Sequence, residues 1–283
     1  MSHIYKAIHP ENFFNDYLTN NVRPDGRTFN THRNVKLNVN CIRTADSSAV
    51  VKCGNTTVAC GIQLELATPK PEEPDSGFLV VNVELLPISS SKSRPGPPSE
   101  HAQVVNNVVS DIILKSQCVD LKELCISPDK LAWVVHCDAV CINNDGSVVD
   151  ASIIGLMACL KTLSLPKVLF NPETEEIEVD ASIRTPLKLH GFPVATSFCI
   201  VANNDRIVTL TEPTSFEEDM CGGLGANLIV CWNEGLISGM QKFGGCNLTT
   251  ECQKEAMQVA KERCKIVQNV IDTCIQNEEN KNK

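Results

Sequence analysis

The stretch Val149 to Leu163 is apolar nearly all round, with Ile153, Ile154, Leu156, Met157 and Leu160 on successive turns. Such a segment has no polar face to turn outward, so it predicts a helix in the middle of the structure. A chain of 283 residues, 42% of them hydrophobic, can build a substantial core around it, as one large domain or two small ones. A second helix, Ala102 to Lys115, is amphipathic instead. Val104, Val105, Val108, Val109, Ile112 and Ile113 fall on one stripe at helical period, and Ser99 is its candidate N-cap.

Strands lie before and after these helices. Val35 to Ile42 reads as a first strand, preceded by a helix from Pro10 to Leu18. Ala49 to Cys53 and Thr56 to Ile62, joined by Gly54-Asn55, read as a β-hairpin. Phe78 to Leu86 and Leu131 to Cys137 follow as strands, with a Ser/Pro-rich loop from Ser89 to Ser99 that carries Lys92 and Arg94. Pro166 to Lys188, rich in Pro and acids, reads as a linker or excursion. Beyond it come four short strands, Ala195 to Ala202, Arg206 to Leu210, Leu228 to Trp232 and Leu236 to Gln241. Gly244-Gly245 ends them, Thr250 opens a long final helix, and the polar tail from Gln276 is expected to fray. Strands then helices, twice over, indicate an α+β fold rather than a doubly wound sheet. The expected divisions are an N-terminal helix and arm (1–30), a first domain (31–165), the linker or excursion (166–190) and a C-terminal domain (191–283).

Net charge is −9 and the pI near 5.2, which argues against strong autonomous nucleic-acid binding while leaving room for a local basic strip. The start, Met1 to Lys6, has no signal-peptide pattern, and no apolar run approaches the ~20 residues of a membrane helix. A cytosolic or nuclear protein is expected, and its 15 Cys should then be mostly buried and reduced. Cys137 and Cys141 share a strand face beside His136, which invites a metal reading. Their apolar neighbours favour a core role, with His136 as a satisfied interior residue. Asp138 reads as a structural hydrogen-bonded acid and His101 as an exposed or capping residue.

Three blocks carry a resemblance. They are Arg23-Pro24-Asp25-Gly26-Arg27, a turn with an Arg at each end, then Ser48 to Val58, then Asp138 to Ala151 with Asp145-Gly146-Ser147 inside it. With Pro97-Pro98-Ser99-Glu100, Leu124 to Pro128, Glu212-Pro213-Thr214 and Gly244-Gly245, they resemble the RNase PH family from about residue 20 to 270. The resemblance is to the ring subunits of the eukaryotic RNA exosome that carry no phosphorolytic site. It implies two ribosomal-protein-S5-like halves and six such subunits around an RNA channel.

Active members of the family cleave RNA from its 3′ end with inorganic phosphate. The resemblance implies a phosphate grip of Gly-Ser/Thr-Arg, and two Asp six apart that hold a metal. Here the matching stretch is Gly146-Ser147-Val148, with no Arg. Asp219 supplies one carboxylate, but Gly225 stands six residues on. The expectation is therefore a structural subunit without catalysis, metal or cofactor of its own, supporting 3′-end RNA processing in the nucleus, nucleolus and cytoplasm. Its implied partners are other RNase PH-like subunits, cap subunits with S1/KH-type domains, and RNA in the channel. Lys92 and Arg94 are candidate RNA contacts. Arg23 and Arg27 could contact RNA or a neighbouring subunit, with a structural salt bridge slightly favoured. The alternatives are an active phosphate-dependent 3′→5′ exoribonuclease and an unrelated α+β enzyme, for which no P-loop or Gly-x-Gly-x-x-Gly is present.

Overall fold

In the computed structural model, residues 2–91, 93–170, 177–203, 206–233 and 235–281 are described. Two short helices, α1 (Ser2–Ile8) and α2 (Pro10–Thr19), open the chain, the second started by Pro at its first turn. Five strands follow one another in a first sheet: β1 (Val35–Val39), β2 (Ser47–Cys53), β3 (Thr56–Ala67), β4 (Phe78–Leu85) and, after α3 (Glu100–Lys115), β5 (Cys125–Ser127). Strand β6 (Leu131–Asn143) completes it, in the order β1-β2-β3-β6-β4, with β5 paired to β6. β4 runs parallel to β6, a pairing that a tight turn cannot make. The crossover is supplied by α3, whose first turn is capped by Ser99 Oγ accepting from the Ala102 N–H at 3.2 Å.

Helix α4 (Val148–Thr162) is buried from Val148 through Leu160. It packs against β2 and β3 on one side and against β9 (Pro193–Asn203) of a second sheet on the other, which is why it has no polar face. Gly155 permits the close approach to β3, since a Cβ there would lie 2.4 Å from Cys60 Sγ. The second sheet has the order β10-β9-β11-β12, with β10 at Arg206–Thr211, β11 at Gly225–Asn233 and β12 at Leu236–Gly244. α5 (Ser215–Leu224) lies between β10 and β11 in the chain, and α6 (Thr250–Lys281) packs on β1, β9 and β11. Among the described residues no helix is long and apolar enough to cross a membrane.

Several expectations change. The stretch Pro166 to Lys188, expected as a linker or excursion, carries strands: β7 (Ser164–Phe170) and β8 (Ile177–Pro186) pair there as an exposed hairpin. The segment Ser215–Leu224, to which no element was assigned from sequence, is helical. α6 continues to Lys281 rather than fraying from Gln276. His136 is not interior. It sits on the open face of β6, with Nε2 3.2 Å from Glu65 Oε2. Asp138 is exposed and accepts from Asn82 Nδ2 at 3.4 Å. Cys137 and Cys141 are buried in the core, where burial pushes the Cys141 thiol up to about 11. Cys199 of β9 and Cys221 of α5 are bonded to each other, a pair that the reduced-thiol reading did not contain.

Candidate functional site

The arm between α2 and β1 runs across the second sheet and carries three arginines into its junction with the first. Arg23 is fully buried. Its Nε and Nη2 grip Glu217 Oε1 and Oε2 at 2.8 and 2.5 Å, and its Nη1 donates to the Thr211 carbonyl at 2.6 Å. This two-pronged geometry is the one a guanidinium makes best. Arg27 is held by Asp25 Oδ2 at 2.6 Å and by the Thr31 and Glu212 carbonyls at 3.1 and 3.0 Å. Arg33 reaches deepest. It donates to the carbonyls of Asp145 at 2.9 Å, Glu212 at 3.2 Å and Pro213.

Glu212 is the hub opposite these arginines. Its backbone holds φ +48°, and its buried carboxylate pairs with Arg263 Nε of α6 at 2.6 Å and accepts from the Arg33 N–H at 2.6 Å. Burial alone would raise its pKa. The His32 ring, 3.5 Å away, and the Arg263 charge outweigh that and hold it below the usual value. Asp150, in the first turn of α4, makes no ion pair among the described residues. It accepts from Ser197 N–H and Oγ at 2.9 and 2.8 Å, and burial, with the Glu212 charge, pushes it up to about 8.

The loop expected to match a phosphate grip lies in this junction. Gly146 holds φ +81°, and a Cβ on it would meet the Pro213 carbonyl at 2.5 Å, so the position requires glycine. Ser147 is buried at the N-cap of α4 in the left-handed region, and its Oγ donates to the Pro213 carbonyl at 3.0 Å. Its N–H points out of the positive end of the helix, where an anion is favoured. That N–H donates to Glu218 Oε1 at 2.7 Å, so the chain's own carboxylate takes the place. Burial pushes Glu218 up to about 7, against the Ser147 N–H and the Arg33 charge, which pull it down. Val148 is buried at the first turn and offers no donor side chain.

The structure separates the remaining candidates. Arg23 and Arg27 use their guanidinium donors within the chain, so the RNA-contact reading fails for Arg23, which has no exposed surface. Arg94 is exposed on the loop before α3, and Lys92 lies outside the described residues. Asp219 is exposed on α5, while Gly225 begins β11. Among the described residues no three His, Cys, Asp or Glu side chains are grouped to hold a metal ion. Sequence reading missed Arg33, Arg263 and the role of Glu218. A signal existed for Arg263, which stands in the apolar row Ala256, Ala260, Val267, Ile271 of α6, where a charge needs a buried partner. For Arg33 there was none.

Residues 31–166 match the family model described as 3′ exoribonuclease family, domain 1. The chain is 34% identical over 260 residues to the exosome complex component rrp43 of Schizosaccharomyces pombe, covering 92% of this chain and 94% of that one. It is 37% identical over 246 residues to the exosome complex component Rrp42 of Thermococcus kodakarensis, covering 87% and 88%. Among solved structures it is similar to a chain of the Archaeoglobus fulgidus exosome with RNA bound to the active site, with TM-score 0.78, 29% identity, and coverage of 92% and 96%. A chain of an archaeal exosome core matches with TM-score 0.74 at 28% identity, over 91% of this chain and 96% of that one. Sheet order, the buried central helix and these likenesses agree that the chain belongs to the RNase PH family.

Proposed function

We propose that the chain is a structural subunit of an RNA exosome ring, without phosphorolysis of its own, that supports 3′-end RNA processing and degradation by helping to form the RNA channel. Its relatives over nine-tenths of the chain are exosome components, which supports the ring reading. The observation that carries the absence of catalysis is the Ser147 N–H to Glu218 Oε1 contact at 2.7 Å. It fills the positive end of α4 with a resident carboxylate, beside a buried Val148 where the catalytic pattern has Arg. Asp219 without a second Asp at position 225 supports the same reading for the metal. Reading the chain as an active phosphate-dependent exoribonuclease would need both groups from elsewhere.

Its partners are then other RNase PH-like subunits and cap subunits with S1/KH-type domains, and its compartments the nucleus, nucleolus and cytoplasm. The divisions at 31–165 and 191–283 correspond on this reading to the two halves of the family fold. Coexpression with RNase PH-like exosome subunits, followed by sizing and mass analysis, tests the assembly. Incorporation at one defined stoichiometry is expected, and a lone monomer that ignores every such subunit would remove the ring reading.

A further inference from the structure

One cross-strand pair in the first sheet works against the fold. Lys36 of β1 and Lys52 of β2 face each other directly in the register. Among the described strand pairings no other like-charged residues do so. Like charges opposed across a ladder are unfavourable. Both side chains are exposed, and among the described residues neither makes an ion pair. The register continues the row. Lys52 faces Thr57 of β3, and Thr57 faces Asn143 of β6, whose Nδ2 donates to the Asn55 carbonyl at 2.7 Å, so two cations and a hydroxyl line one end of the sheet's open face. The alternate residues Leu37, Val51 and Val58 are buried, so the row points away from the core.

This end of the face differs from the other. Toward β4 and the far part of β6 lie the exposed carboxylates Glu65, Glu84 and Asp138, which repel an anion. Asp145, the acid beside the lysine end, is engaged by Asn55 Nδ2 at 3.1 Å and Ser215 Oγ at 3.3 Å. On a chain of net charge −9, a cation pair held together without a counter-ion indicates an anionic partner that supplies one.

We propose that Lys36 and Lys52, extended by Thr57, form a strip that binds successive phosphates of single-stranded RNA on the open face of the first sheet. The strip rests on the exosome reading for the identity of its partner. The strip uses neither Arg94 nor the Ser147 N–H at the start of α4. Lysine suits the task, since a phosphate backbone is held by charge rather than by base-specific bonds.

The test uses the full chain coassembled with its RNase PH-like partners, and anisotropy of a labelled oligouridylate over a series of salt concentrations. Lys36→Glu with Lys52→Glu should weaken binding about tenfold or more and lower the slope of log affinity against log salt by roughly 1.4, the value for two lost phosphate contacts on a single strand. Lys254→Glu with Lys265→Glu, exposed on α6, makes the same change in net charge and should leave the slope unchanged. Lys36→Gln with Lys52→Gln relieves the repulsion, so it should lose RNA affinity without losing thermal stability. Equal effects from the two Glu pairs, or an unchanged slope in the Lys36/Lys52 variants, would overturn the strip and leave the ring reading standing. A wild-type assembly that binds no RNA would overturn both.

Discussion

Replacing Arg23 with Met should destabilise the protein by about 3–5 kcal/mol, the usual cost of removing one partner from a buried ion pair. Arg23 and Glu217 are both fully buried, so water cannot replace the lost guanidinium. Among the described residues Glu217 would keep only the Thr214 N–H, at 2.7 Å, and the Thr211 carbonyl would lose its 2.6 Å donor. The Glu212 carbonyl is better protected, because Arg27 and Arg33 also donate to it. The loss therefore falls mainly on one carboxylate. Urea unfolding followed by tryptophan fluorescence reads it, since Trp133 lies in the first sheet and Trp232 in the second. Replacing both partners, Arg23→Met with Glu217→Leu, removes the stranded charge and should recover most of the loss. A single variant that loses less than about 1 kcal/mol, or a double variant no better than the single, would refute the view that this pair fixes the arm to the second sheet.

The buried acids set a pH dependence. Burial pushes Asp150 up to about 8 in the folded chain, against an ordinary 3.8, so the folded state holds its proton more tightly. Its contribution is full below about pH 4 and is lost as pH rises through 8, at up to about 1.4 kcal/mol per unit. Asp150→Asn should flatten the fall in urea midpoint between about pH 4 and 8, and an unchanged slope would count against this assignment. Glu212, with its pKa lowered, acts in the opposite sense, and its share is lost as pH falls below the ordinary carboxyl value of 4.5. Gly155→Ala should cost about 1–3 kcal/mol through overlap with Cys60 Sγ, and Cys60→Ala should relieve part of it. Equal costs in both backgrounds would show that the contact is not the cause. Thiol titration of protein prepared without reductant should count 13 free cysteines of 15 after denaturation, with Cys41 reacting first in the native state. A count of 15 would mean that Cys199 and Cys221 are unpaired.

What was legible in the sequence follows from how local each cause is. α4 could be read because its burial is written in a continuous apolar run, and α3 because its stripe and Ser99 cap lie within one segment. The β2–β3 hairpin announced itself through the Gly54-Asn55 turn. α5 could not be read so easily. It is short, ends in glycines, and turns Glu217 and Glu218 inward to partners that are more than sixty residues away in sequence. The same distance hid Arg33, whose carbonyl partners come from loops over a hundred residues on. The absence of Arg after Ser147 was plain from the motif. That a carboxylate from α5 takes up the Ser147 N–H appears only when the two segments are brought together. The like-charged Lys36 and Lys52 needed the register itself, since nothing in either strand alone marks them as opposed.

The most direct measurement of the central claim is phosphorolysis by the purified chain, alone and in its assembly with partners that are themselves inactive. Labelled RNA is incubated with Mg²⁺ and inorganic phosphate, and nucleoside diphosphate is counted. With Glu218 on the Ser147 N–H and Val148 in the place of an Arg, no release above background is expected. Release that disappears on Asp219→Ala would contradict the account, because it would show a working site where the proposed function has none.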